Sequence, residues 1–72
     1  MTDATIAIRF NGEWIHCPAG LSLLQVLEWR GHHPRLVVVE FNGEILPCSG
    51  WADQPVAEGD GLEVVTIVGG GS

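Results

Sequence analysis

Five side chains carry the nitrogen and sulfur that a soft metal ion prefers: His16, Cys17, His32, His33 and Cys48. Thiolate and imidazole together suit zinc. Their spacing matches no ligand motif, and His32-His33 falls just past a predicted helix C-terminus, where a partly charged imidazole favours the helix dipole. No metal site is expected. Trp14, Trp29 and Trp51 are of a type enriched at interfaces, but in a small protein large rings more simply plug the edges of the core. Asp53, Glu58 and Asp60 lie in turn sequence and read as solvated turn formers, with a residual role in meeting a basic partner. There is no nucleophile elbow, no phosphate-cradling loop before a helix and no carboxylate pair at informative spacing. No catalytic residue is assigned, and the chain is not expected to be an enzyme. What remains is main-chain chemistry at Gly69-Gly70-Gly71, followed by Ser72.

The elements that would carry this tail follow from local pattern. Ile6, Ile8 and Phe10 alternate with Thr5, Ala7 and Arg9, and Asn11-Gly12 then turns the chain into a segment from Glu13 to Cys17. Asn-Gly accepts the positive φ at both positions that a type I′ hairpin demands. Ser22 and Gln25 have the spacing of a capping box, and Leu21 and Val26 that of a hydrophobic staple. Leu23, Leu24 and Leu27 then cluster on one side of a short helix, which Gly31 and Pro34 end. Leu36 to Phe41 reads as a strand, turned by Asn42-Gly43 into Glu44-Ile45-Leu46. Ser49 to Asp53 has room for one helical turn, and a last strand runs from Leu62 to Val68. In that strand Leu62, Val64 and Val68 take one alternation and Val65 and Ile67 the other, so both faces are apolar. With one helix to cover the sheet, one face is expected to stay partly open beside the tail. The order describes an α+β roll, a mixed sheet of four to five strands packed on one helix.

Composition narrows the class. A chain of 72 residues with 46% hydrophobic content closes one core, with residues 1–68 as a single domain and 69–72 as a flexible glycine tail. Three basic residues against nine acidic ones give a net charge of −6, the wrong sign for neutralising phosphates, so nucleic acid is not an expected partner. Lysine is absent, which excludes Schiff-base chemistry and isopeptide acceptance on a lysine. Met1-Thr2-Asp3 lacks a basic leader, and the longest strongly aliphatic run, Leu36 to Val39, is far too short for a membrane span. A soluble, cytoplasmic monomer is expected, with Cys17 and Cys48 as buried or half-buried thiols.

Four stretches carry a family likeness: Val39 to Pro47, Ser49-Gly50-Trp51-Ala52, Glu58 to Thr66, and the ending Val68-Gly69-Gly70-Gly71. With them the chain resembles the thiamine-biosynthesis sulfur carrier proteins of the ThiS type. The resemblance implies a β-grasp, ubiquitin-like fold. It also implies a C-terminal glycine carboxylate that an adenylating, ThiF-type enzyme activates with ATP and that is then converted to a thiocarboxylate. The sulfur comes from a donor such as a cysteine desulfurase and goes to thiazole synthase. No cofactor is bound permanently, because ATP is consumed by the activating partner. Carried onto this sequence, Gly71 bears the sulfur, Gly69 and Gly70 thread the partner's channel, and Val65, Ile67 and Val68 are the docking residues.

Such chemistry asks for little bulk and wide φ/ψ freedom at the terminus, which glycine supplies, and four residues beyond Val68 reach roughly 13 Å. The resembled family ends in glycine, whereas Ser72 follows here, so the form ending at Gly71 is the one expected to be charged. Two other readings stand beside this one: a related carrier such as the small subunit of molybdopterin synthase, and a β-grasp interaction module that carries nothing.

Overall fold

The computed structural model describes residues 4–67. Strands β1 (Thr5–Phe10) and β2 (Glu13–Pro18) form a hairpin, helix α1 (Leu23–Trp29) follows, and then come β3 (Val37–Phe41), β4 (Glu44–Ile45) and β5 (Gly61–Thr66). The five strands make one mixed sheet in the order β2-β1-β5-β3-β4. Only β1 and β5 run parallel; the other pairings are antiparallel. With α1 packed across one face, this is the β-grasp roll that the order of elements predicts.

Both Asn-Gly turns take the expected backbone, with φ of 52° and 85° at Asn11-Gly12 and 52° and 88° at Asn42-Gly43. The capping box is complete: Ser22 Oγ accepts from Gln25 N–H at 3.2 Å, and Gln25 Oε1 accepts from Ser22 N–H at 2.9 Å. The helix ends in a Schellman arrangement. Gly31 turns left-handed at φ 87°, its N–H bonds Glu28 C=O at 3.0 Å, and His32 N–H bonds Leu27 C=O at 2.9 Å.

Several strand boundaries shift by a residue or two from expectation, and two of the shifts have a clear local cause. Pro34–Leu36 forms a 3₁₀ turn in which the Arg35 N–H donates to His33 Nδ1 and the Leu36 N–H to His33 C=O, so Leu36 precedes β3 rather than opening it. The last strand ends at Thr66, with Ile67 still tied by its N–H to Leu36 C=O at 2.6 Å. Val68, Gly69, Gly70 and Gly71 lie outside the described residues.

The core sits between α1 and the inner face of the sheet. Leu23, Val26 and Leu27 of the helix meet Ile8, Val39, Leu62 and Val64 of the strands, all buried. Trp51 closes the open end of this layer at 2% exposure, its Nε1–H donating to Leu46 C=O at 2.9 Å. The other two tryptophans do not join the core. Trp14 is 61% exposed on the outer face of edge strand β2, opposite Arg9, whose guanidinium lies 5.8 Å from its ring. Trp29 is 45% exposed, because it sits about 200° around the helix from Leu27. Cys17 is buried as expected, but Cys48 is exposed at the start of the 3₁₀ segment Cys48–Asp53.

Candidate functional site

Strand β5 leads to the glycine tail, and the sheet holds it from both sides. On one side it pairs with β3 along its length, Val37 opposite Thr66 through Phe41 opposite Leu62. On the other, β1 reaches only as far as Phe10 opposite Leu62. Beyond that point the Asn11 side chain continues the ladder in place of a peptide. Its Oδ1 accepts from Val64 N–H at 2.6 Å and its Nδ2 donates to Val64 C=O at 3.2 Å. Asn42, the matching residue of the second hairpin, clamps the start of β5. Its Oδ1 accepts from Gly61 N–H at 2.8 Å, and its Nδ2 donates to Asp60 Oδ1 at 3.1 Å.

These two asparagines read from sequence only as turn formers. Their clamping role was hidden because a turn motif says nothing about which distant strand its side chain faces. The turn carboxylates are likewise more than solvated groups: Asp60 Oδ2 accepts from Ala57 N–H at 2.8 Å, and Glu58 Oε1 accepts from Ala7 N–H at 3.0 Å. Together they brace the loop that feeds β5.

Along β5 the inner residues Leu62 and Val64 are buried, and the outer residue Val65 is 63% exposed. Val38 stands directly opposite Val65 on β3 and is exposed too. Ile67 is 50% exposed and Leu36 is exposed beside it. The result is an apolar strip on the outer face of the sheet at the point where the chain leaves for the tail. Val65 and Ile67 lie within this strip; Val68 and the glycines lie outside the described residues.

The nitrogen and sulfur side chains are dispersed. Cys17 is in the core, His32 stacks on Phe10 with ring centroids 5.5 Å apart, and His33 Nδ1 accepts from Arg35 N–H at 3.3 Å. Among the described residues no three of His, Cys, Asp and Glu come together as metal ligands would. Also among them, no helix is long and apolar enough to cross a membrane. On the helix side an open depression of about 340 Å³ lies between Leu21, Ser22, Gln25, Asp53 and Val56. Its Ser22 and Gln25 groups are already engaged in the helix cap.

Fold and strip together define a small β-grasp domain whose last strand, which precedes the glycines in sequence, carries an exposed apolar outer face. The model of the ThiS family matches residues 8–71, through the third tail glycine, and the chain belongs to that family. It is 37% identical over 71 residues to the uncharacterized protein ycf40 of Pyropia yezoensis, covering 99% of this chain and all of that one. It is 28% identical over 64 residues to the sulfur carrier protein ThiS of Escherichia coli, covering 89% of this chain and 97% of that one. A thiazole synthase of Paramagnetospirillum magneticum is 42% identical over 62 residues, which span 86% of this chain but 19% of that protein. Among solved structures, the crystal structure of the thiamine biosynthesis protein ThiS from Geobacter metallireducens superposes with a TM-score of 0.74 at 27% identity. That superposition covers 92% of this chain and all of that one.

Proposed function

We propose that this chain carries sulfur for thiazole formation in thiamine biosynthesis, as a co-substrate of other enzymes. Residues 1–68 form the body, residues 69–72 the tail, and Gly71, once exposed as the terminus, is the residue that is charged. The observation that carries this reading is the family match running to residue 71, because it takes in the tail as well as the folded body. A carboxylate is a poor electrophile. Attack of the Gly71 carboxylate on the α-phosphorus of ATP, catalysed by an adenylating ThiF-type enzyme, releases pyrophosphate and leaves an acyl-adenylate. The persulfide of a donor such as a cysteine desulfurase then adds to the carbonyl carbon and expels AMP, giving an acyl disulfide, and a thiol cleaves its S–S bond, leaving the thiocarboxylate and a new disulfide.

Thiazole synthase is the acceptor in this reading. Supporting it, the Paramagnetospirillum magneticum relative that bears the name thiazole synthase includes a segment like this chain within one longer polypeptide. Val65 and Ile67, with Val68 beyond them, dock the body while Gly69 and Gly70 thread the partner's channel, where a side chain would add bulk. The chain contributes no catalytic side chain and no resident cofactor.

The test is mass spectrometry of two purified forms, one ending at Gly71 and one retaining Ser72, incubated with the adenylating enzyme, ATP and a sulfur donor. The Gly71 form is expected to exchange one terminal oxygen for sulfur and the Ser72 form to remain unchanged. A Gly71 form that gains neither adenylate nor sulfur would refute sulfur carriage by this chain.

A further inference from the structure

The outer face of the sheet carries, next to the apolar strip, a pair of like charges. Glu40 on β3 stands directly opposite Glu63 on β5, one step along the same face from Val38 opposite Val65. Ile45 on β4 is opposite Glu40 and exposed. Two carboxylates therefore sit side by side on neighbouring strands, rimmed by Val38, Val65 and Ile45. Like charges in directly opposed positions weaken a sheet.

Arg9 shares this outer face, on β1 opposite Gly61, but is engaged with Trp14 on β2, on the far side of β1 from Glu63. The Arg9 guanidinium lies 5.8 Å from the Trp14 ring, that of Arg30 lies 5.1 Å from the Phe10 ring, and Arg35 sits in the turn before β3. There is no lysine. For folding alone a neutral residue at either position would serve better; the pair makes sense for a partner that brings the positive charge.

We propose that Glu40 and Glu63 form an anionic seat, within the rim of Val38, Val65 and Ile45, for an arginine or lysine on the docking face of thiazole synthase. This rests on the reading that thiazole synthase receives the sulfur. A guanidinium fits the geometry: its planar fork can meet both carboxylates, and its methylene stem can lie over the valines. Closing the apolar rim removes water from around the pair, so the attraction strengthens on docking. The seat adjoins Val65 and Ile67 at the base of the tail, so the same contact sets the register from which the glycines enter the partner. Long-range attraction from a chain of net charge −6 steers the encounter, while this pair fixes the orientation.

The experiment is titration calorimetry of the full chain into the thiazole synthase of the same organism, at low and at physiological salt. Glu40→Gln/Glu63→Gln is compared with a charge-matched control on the helix side, Glu28→Gln/Asp53→Asn. The outer-face variant is expected to bind at least about tenfold more weakly at low salt and to lose most of its salt dependence. The control is expected to stay within about threefold of the unchanged chain. The outer-face variant is also expected to melt about 2–4 °C higher, since the opposed charges are gone. Equal binding and equal salt dependence of the unchanged chain and the outer-face variant would overturn the seat while leaving sulfur carriage intact. Failure of the unchanged chain to bind thiazole synthase at all would overturn the seat together with thiazole synthase as the acceptor.

Discussion

Val64 and Val65 are consecutive, identical in chemistry and part of one strand, yet one is 7% exposed and the other 63%. The strand's two-residue period turns Val64 toward α1 and Val65 away from it, and one helix can cover only one face of the sheet. A β-grasp domain of this size thus has an inner face that determines whether it folds and an outer face that is free to serve another protein. The two valines are a direct probe of that division, because the same substitution at each removes the same atoms.

The division is broken most severely from the helix side. Leu27→Ala empties a fully buried position and is expected to cost about 2–5 kcal/mol, measured by urea unfolding. In a small domain of modest stability that is enough to leave a large unfolded fraction. Val64→Ala is expected to cost about 1.5–3 kcal/mol, whereas Val65→Ala is expected to fall within about 0.5 kcal/mol of the unchanged chain. Sulfur loading and thiazole-synthase binding should show the opposite order for Val65, with function lost while the melting curve is kept. Equal destabilisation by the two alanines would mean that the outer face is part of the folding core.

A smaller effect tests what keeps the two valines on their own sides. The Asn11 amide holds both backbone groups of Val64, and so fixes the register of β5 where β1 no longer reaches. Asn11→Asp retains an acceptor for the Val64 N–H and still tolerates positive φ, but loses the donor to the Val64 carbonyl. It is expected to cost about 1 kcal/mol. Amide hydrogen exchange at Val64 to Thr66 should quicken, while exchange in α1 changes less. Unchanged exchange in β5 would show that pairing with β3 alone is sufficient.

Much of this was legible from local signals and the rest was not, for physical reasons. Asn-Gly turns and the Ser22–Gln25 capping box are short-range chemistry, and they appear where the pattern places them. The alternation in the last strand also told which residues share a face. Which face the helix would cover is a tertiary matter, as is the fate of the tryptophans. Trp14 belongs to an edge strand, and Trp29 to the side of α1 turned away from the core. The clamps from Asn11 and Asn42 span 53 and 19 residues, and no turn signature carries information over such separations. The opposition of Glu40 and Glu63 needed the register of β3 against β5, which a one-residue slip would have destroyed.

The two thiols give the gentlest probe of inside against outside. Cys17 is 1% exposed and its burial pushes the thiol above its ordinary value of 9.0, whereas Cys48 is exposed. A thiol reagent should therefore label Cys48 at once in the native protein and Cys17 only as fast as the core opens. The same burial sets a sign for alkaline stability. The folded state holds the Cys17 proton more tightly than the unfolded chain does, so folding is unaffected below about pH 9 and weakens as pH rises above it. In a Cys48→Ser background, the melting temperature is expected to fall more steeply above about pH 9 than when Cys17 is also replaced by Ala. Matching pH profiles, or labelling of both thiols at the same rate, would mean that the inner face is open to solvent and that Val64 and Val65 differ less than their burial implies.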